Sequence, residues 1–156
     1  MDYVRLVKPE WFDHSGDAFK ELAFRKHSDG TGLSIFDLEC AEGESGVILQ
    51  HVRKFYSDFI REGDVVFCMI SDTEFPPNST LIKTDDPDPC HWGLDAAHGP
   101  GKQEGEPIGV NKLKSYFTHK MGRENFFICD GDGTYRGLER ADTEPWHMNK
   151  MLADGE

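Results

Sequence analysis

The segment from residue 85 to residue 101 carries the densest group of side chains capable of chemistry in this chain. It holds one thiol, two imidazoles and four carboxylates between proline and glycine residues. Cysteine, histidine and aspartate bind metal ions or transfer protons, and long loops in compact domains are often functional. We therefore take Cys90, His91 and His98, together with Ser34 from an earlier part of the chain, as candidate catalytic residues.

The same segment offers ligands to a zinc ion. Cys90, His91 and His98 would supply three ligands, and Asp95 or a water molecule the fourth. Structural zinc sites usually combine two closely spaced pairs of ligands, and the second pair is missing from this sequence. Neighbouring side chains such as those of Cys90 and His91 also point to opposite faces of an extended segment. We expect no metal site and no cofactor.

A nucleophilic Cys–His pair is the other chemistry that these residue types allow. Cys90 would pair with His91, His98 or His119. A reactive thiolate needs electropositive surroundings, whereas Cys90 follows an Asp-Pro-Asp-Pro run whose carboxylates would raise the pKa of its thiol. The structural alternative is that His91 and Trp92 only close the loop.

The sequence patterns of three further kinds of site are missing. Residues 130–133 resemble the start of a calcium-binding loop, but such a loop needs glycine at its sixth position and glutamate at its twelfth. Tyr135 and Ala141 occupy those positions, so a hairpin turn is predicted instead. The sequence also lacks the glycine-rich phosphate-binding motif and the G-x-S-x-G nucleophile motif.

A basic cluster on or beside the second predicted helix would contact a phosphate or an acidic partner, although a solvated polar face is the usual explanation. Its members are Lys112, Lys114, His119, Lys120 and Arg123.

A small polar pocket is also predicted on the sheet. Arg5, Ser34 and His91 each lie on or beside a predicted short strand, so their side chains can converge on one face. An arginine, a hydroxyl and an imidazole together would capture an anion and move a proton. The predicted binding residues of the whole chain are Arg5, Trp92, Lys112, Lys120 and Arg123.

The charge of the chain limits the classes of partner. Aspartate and glutamate number 29 against 17 lysines and arginines, which gives a net charge of −12. Such a surface repels phosphate backbones and anionic lipid, so we expect no direct binding to duplex nucleic acid and no membrane association. A basic protein partner fits the charge, and so do nucleic-acid mimicry and simple solubility.

The expected location follows from the absence of targeting patterns. The N-terminal segment contains acidic residues and Pro9 and has no apolar run of signal-peptide length. No stretch approaches the roughly 20 apolar residues of a membrane helix. We therefore expect a cytoplasmic protein whose four cysteines are free thiols in a reducing compartment.

A single α+β domain is predicted, because 156 residues match one ordinary domain and the helix and strand patterns do not alternate strictly. We expect a mixed or antiparallel sheet of five to six short strands and two main helices, at residues 45–61 and 109–121, which carry apolar stripes. A further short helix is expected at 18–23, with an extended segment as the less favoured alternative. The domain spans 1–140, and residues 141–156 are expected to form a loosely docked or mobile tail. The expected strands are residues 3–7, 33–38, 64–70, 80–83, 125–130 and 134–136, with 91–94 as a further candidate.

Three short runs of sequence form a recognisable pattern within about the first 95 residues. They are YVRLVKPEWFD at Tyr3–Asp13, GLSIF at Gly32–Phe36 and DPDPCHWGL at Asp86–Leu94, with an Ala-Phe pair after the first run. This pattern resembles a small family of uncharacterised bacterial proteins. The resemblance implies a bacterial source and carries no activity.

These observations support two functional hypotheses. The first is an acidic cytosolic protein-interaction or regulatory module, such as an accessory subunit of a bacterial multi-protein system, because no catalytic set is complete and the charge favours a protein partner. The alternative is a small hydrolase or transferase with its site in the loop at 85–106. There, His91 would act as acid and base, with Cys90, His98 or Ser34 nearby.

Overall fold

The structure is a computed structural model. It describes residues 1–13, 18–19, 23, 32–45, 47–60, 64–76, 79–84, 87–95, 116–118, 120–130 and 133–154.

The described strands confirm the α+β prediction. They are β1 (Asp2–Val7), β2 (Phe12–Asp13), β3 (Ala18–Phe19), β4 (Leu33–Asp37), β5 (Val66–Ser71), β6 (Thr80–Lys83), β7 (His91–Asp95), β8 (Phe126–Cys129) and β9 (Tyr135–Gly137). Within the described residues, seven of them form one antiparallel sheet in the order β6-β7-β4-β1-β5-β8-β9, and β2 pairs with β3 separately. The main sheet thus has seven strands rather than the expected five to six.

The sheet separates two buried apolar clusters. Side chains alternate along a strand, so Val4 and Phe36 share one face, which packs against Val52 of the helix at Ile48–Phe55. Val7 lies on the other face, in the same cluster as Trp146 of the helix at Arg140–Asp154. A further helix spans Leu38–Ser45 and is called α1. The helix at Ile48–Phe55 is α2, and the helix at Arg140–Asp154 is α3. We call the two faces of the sheet the α2 face and the α3 face.

The predicted helix at 45–61 is shorter in the structure. Ser45 ends α1, and α2 ends at Phe55 because Tyr56 leaves helical geometry with a φ of −138°. A 3-10 turn at Ser57–Phe59 follows. Of the helix expected at 109–121, residues 116–118 and 120 are helical, and residues 109–115 and 119 lie outside the described part. None of the helices in the described ranges has the length and apolar character needed to cross a membrane.

The short helix expected at 18–23 is wrong at its start, because Ala18 and Phe19 form strand β3. Phe19 pairs across the strands with Phe12 and stacks on Phe126 at 4.6 Å between ring centroids. Burial of an aromatic ring against two others outweighs a weak local helical pattern.

Residues 140–154 form α3, a helix that the sequence pattern did not predict. Trp146 is only 5% exposed, and its indole Nε1 donates a hydrogen bond to Asp64 Oδ2 at 2.7 Å. Its ring also meets Phe12 edge-on. One tryptophan thus carries much of the contact between α3 and the core, while Pro145 inside the helix obscures the helical signal in the sequence.

We predict that Trp146→Ala lowers the free energy of unfolding by about 3–5 kcal/mol, because a large buried ring leaves a cavity behind. Urea denaturation followed by circular dichroism measures this change. Glu144→Ala, at an exposed position of the same helix, is the control and should stay within about 0.5 kcal/mol of the wild type. Equal stability of both variants would show that α3 contributes nothing to the core.

Candidate functional site

The register of β4 and β7 brings Ser34 and His91 together on the α2 face. Ser34 lies opposite Gly93, and Phe36 lies opposite His91. Because Gly93 has no side chain, the imidazole of His91 can reach diagonally along the pair of strands. The Ser34 hydroxyl oxygen and His91 Nε2 are hydrogen-bonded. This contact joins two residues 57 positions apart in the sequence.

Thr84 completes the arrangement from the end of β6. Its backbone N–H donates to the carbonyl oxygen of His91 at 3.2 Å, and its hydroxyl is hydrogen-bonded to His91 Nδ1. A neutral imidazole donates from one ring nitrogen and accepts at the other, so two hydroxyl partners satisfy both. We call Ser34, His91 and Thr84 the hydroxyl–imidazole chain. All three residues are partly exposed.

Arg5 does not join this group. It lies on β1 between Tyr3 and Val7, on the α3 face, whereas the side chains of Ser34 and His91 lie on the α2 face. Arg5 is 7% exposed, and its guanidinium donates to the carbonyl oxygens of Ala23 at 2.9 Å and Ser34 at 3.0 Å. Burial lowers the pKa of Arg5 to about 10. The predicted pocket of three converging side chains is therefore corrected: Arg5 holds the backbone of Ser34 from the opposite face.

Cys90 is joined to Cys40 by a disulfide, with 5.6 Å between their Cα atoms. Cys40 lies in the first turn of α1, directly after β4, and Cys90 directly precedes β7. The Asp37 N–H donates to the Cys90 carbonyl oxygen at 3.0 Å and closes this end of the strand pair. The expectation of four free thiols is wrong for these two residues, and a disulfide-bonded Cys90 is not a nucleophile.

The two remaining cysteines are poor nucleophiles. Cys68 is completely buried on β5, and burial raises the pKa of its thiol well above the ordinary value. Burial also raises the pKa of the Cys129 thiol to about 11. Both thiols are therefore protonated near neutral pH, and a thiolate is the reactive form.

A buried polar cluster, which we call the Asp88 cluster, lies next to the disulfide. His51 of α2 is completely buried, and its Nε2 lies 2.9 Å from Asp88 Oδ2. The Tyr56 hydroxyl donates to the same oxygen, and the Cys90 N–H donates to Asp88 Oδ1 at 2.8 Å. The segment before β7, expected to be an exposed loop, is thus anchored inside the protein at Asp88 and Cys90.

The electrostatics of Asp88 follow from these contacts. Burial alone would raise the pKa of the carboxyl group, but the hydrogen bonds that the carboxylate accepts outweigh burial and hold its pKa below the ordinary value of 3.8. Donation to Asp88 and burial together raise the pKa of Tyr56 far above its usual range. The cluster is therefore built around a carboxylate that stays charged.

Sequence reasoning missed His51 and Tyr56. Both residues lie within the helix predicted at 45–61. The available signal was the position of His51, three residues after Ile48 and one before Val52. A histidine on the buried side of an amphipathic helix needs a polar partner.

The other predicted binding residues lie apart from this region. Trp92 is on the α3 face, with the Lys83 ammonium 4.9 Å from its ring centroid. Lys120 is exposed, and Arg123 begins a 3-10 turn ahead of β8. His98, Lys112 and the remainder of the basic cluster at 114 and 119 lie outside the described residues, as does the loop at 96–106.

Comparisons with known families, proteins and structures find no relative of this chain. No protein-family model, no curated protein sequence and no solved structure matches the chain.

We predict that Asp88→Asn lowers the free energy of unfolding by about 3–5 kcal/mol at neutral pH, because it breaks a buried, charged hydrogen-bond cluster. The folded pKa of Asp88 is depressed, so its contribution is present above the ordinary carboxyl pKa and is lost as the pH falls through the folded pKa. The stability of the wild type should therefore fall more steeply below about pH 4 than that of the variant.

Urea denaturation between neutral pH and pH 2 measures both effects. Asp58→Asn, at an exposed position of the 3-10 turn after α2, is the matched control and should follow the wild type. The same acid slope in Asp88→Asn and in the wild type would contradict the assignment of a depressed pKa to Asp88.

Proposed function

We propose that this protein is a small hydrolase or transferase in which Ser34 is the nucleophile and His91 the general base. The observation that carries the proposal is the hydrogen bond between the Ser34 hydroxyl and His91 Nε2, with Thr84 bonded to the other ring nitrogen. A nucleophile, a base and a group that orients the base, all within hydrogen-bonding reach, are the recurring arrangement for covalent catalysis. Cys90 has no part in this mechanism.

The proposed reaction is acyl transfer. His91 Nε2 takes the proton of the Ser34 hydroxyl while the oxygen attacks the carbonyl carbon of the substrate. The bond to the leaving group breaks, and the imidazolium returns the proton to that group. Water, or a second acceptor with a hydroxyl or amine, then releases the acyl group from Ser34 with the same base. Water as acceptor makes the protein a hydrolase, and any other acceptor makes it a transferase.

The contacts favour substrates with good leaving groups. The orienting group on His91 Nδ1 is the neutral hydroxyl of Thr84, which stabilises an imidazolium less than a carboxylate does. Esters and thioesters therefore fit better than amides. The net charge of −12 disfavours anionic substrates.

We predict that Ser34→Ala and His91→Gln each lower kcat/KM for the hydrolysis of p-nitrophenyl acetate by at least about 100-fold, because each removes an essential group of one catalytic unit. Release of p-nitrophenol measures the rate. A fluorophosphonate probe should modify the wild type at Ser34, as read by peptide mass spectrometry, and should not modify His91→Gln at that residue.

Three further variants distinguish an effect on catalysis from an effect on folding. Ser57→Ala, at an exposed serine, should keep the full rate. Thr84→Val should lose about tenfold in kcat, the value of one neutral hydrogen bond, and Thr84→Ser should recover it. A wild-type rate no higher than that of Ser34→Ala, in protein with unchanged circular dichroism, would overturn the proposed function.

A protein-interaction or regulatory module, such as an accessory subunit of a bacterial multi-protein system, is the second candidate. The net charge of −12 favours a basic partner. We predict that pull-down from native lysate recovers such a partner at low salt and loses it as salt rises, because surface charges are screened. Recovery of the chain alone at every salt concentration would count against this candidate.

The proposed location stays cytoplasmic for both candidates. The Cys40–Cys90 bond is an observation against it, because disulfides persist mainly in oxidising compartments.

A further inference from the structure

Three buried residues beside the disulfide offer ligands of the kinds that zinc prefers. His51, Asp88 and Cys90 each present one ligand atom, and these atoms all lie within 4.8 Å of one another. Imidazole nitrogen, carboxylate oxygen and thiolate sulfur are the usual protein ligands of zinc. Cys40 adds a second sulfur at the same place, since it is bonded to Cys90.

We propose that these four residues, once the disulfide is reduced, bind one zinc ion in a closed tetrahedral site. The site is independent of the hydroxyl–imidazole chain and of the function proposed for it. It would join the first turn of α1, the buried side of α2 and the segment before β7. The zinc ligands considered from the sequence are Cys90, His91 and His98, whereas the fold gives Cys90 different partners.

His51 and Asp88 already lie as two neighbouring ligands would. The His51 side chain is completely buried, and its Nε2 lies 2.9 Å from Asp88 Oδ2. An ion in the place of the proton between these two atoms would be bound by both of them. Nδ1, which has no hydrogen-bond partner among the described residues, is not the ligand atom in this arrangement.

The metal-bound and disulfide-bonded states exclude each other. A dithiol reductant breaks the S–S bond by supplying two electrons and two protons, and it leaves as a disulfide itself. Cys40 and Cys90 are then thiols, and zinc displaces both thiol protons as two thiolate bonds form. While the sulfurs are bonded to each other, neither is a thiolate and zinc has only two ligands.

The test uses the full chain in two redox states. One sample is kept oxidised, and the other is reduced with a phosphine, which ends as its oxide and leaves no thiol to compete for zinc. Both are mixed with zinc, passed through gel filtration and analysed for metal by mass spectrometry. We expect about one zinc per chain in the reduced protein and almost none in the oxidised protein. Cobalt in place of zinc should show thiolate charge-transfer absorption.

Variants locate the metal. His51→Gln and Cys90→Ser should lose zinc to a chelator at least about tenfold more readily than the reduced wild type, because each removes a ligand. Cys129→Ser, at a half-buried cysteine of β8, is the matched control and should behave as the wild type. If His51→Gln does not fold, the comparison of the two redox states still decides, since it needs no substitution. A reduced chain that holds no zinc, or a His51→Gln variant that folds and binds zinc as tightly as the wild type, would overturn the proposal.

Discussion

The antiparallel pairing of β4 with β7 positions both groups of reactive side chains. Ser34 lies opposite Gly93 in this register, which lets His91 reach the serine hydroxyl. The disulfide ties the chain just beyond β4 to the chain just before β7. A slip of one residue would move the side chains of one strand to the other face. Ser34 and His91 would then lie on opposite faces of the sheet, and the hydroxyl–imidazole chain could not form.

The backbone conformation of Gly32 restricts the register at the other end of the β4–β7 pair. Gly32, which precedes β4, has a φ of +84°, and a side chain there would collide with the carbonyl group of Leu94. Only glycine tolerates both conditions. Buried charges add to the constraint, because Arg5 is bonded to the Ser34 carbonyl and Asp88 to the Cys90 amide. Leaving either charge without its partners inside the protein would be strongly destabilising.

Much of the sheet could be predicted from local patterns. The strand at Val66–Ser71 is mostly apolar, and the short strands at Thr80–Lys83 and His91–Asp95 lie between clear turn signals. The helix expected at residues 18–23 was wrong at Ala18 and Phe19, because contacts with Phe12 and Phe126 decide that segment. Residues 140–154 escaped prediction for the same reason, since one tryptophan and its distant partner Asp64 anchor them.

The site was predictable in its residue types and only partly in its contacts. Ser34 and His91 were chosen for their chemistry and do meet. Thr84 was overlooked because a threonine at the end of a short strand has no signature until β6 is placed beside β7. The Cys40–Cys90 bond joins residues 50 positions apart, and spacing alone cannot reveal which cysteines pair.

The protonation of the His91 ring is the most direct test of the central claim that the fold clamps this imidazole between two hydroxyls. Long-range proton–nitrogen NMR spectra at mildly alkaline pH distinguish a proton on Nδ1 from one on Nε2. We predict a single neutral tautomer with the proton on Nδ1, donated to Thr84, and with Nε2 accepting from Ser34. Averaged nitrogen shifts typical of a ring turning freely in water, or a proton fixed on Nε2, would contradict it.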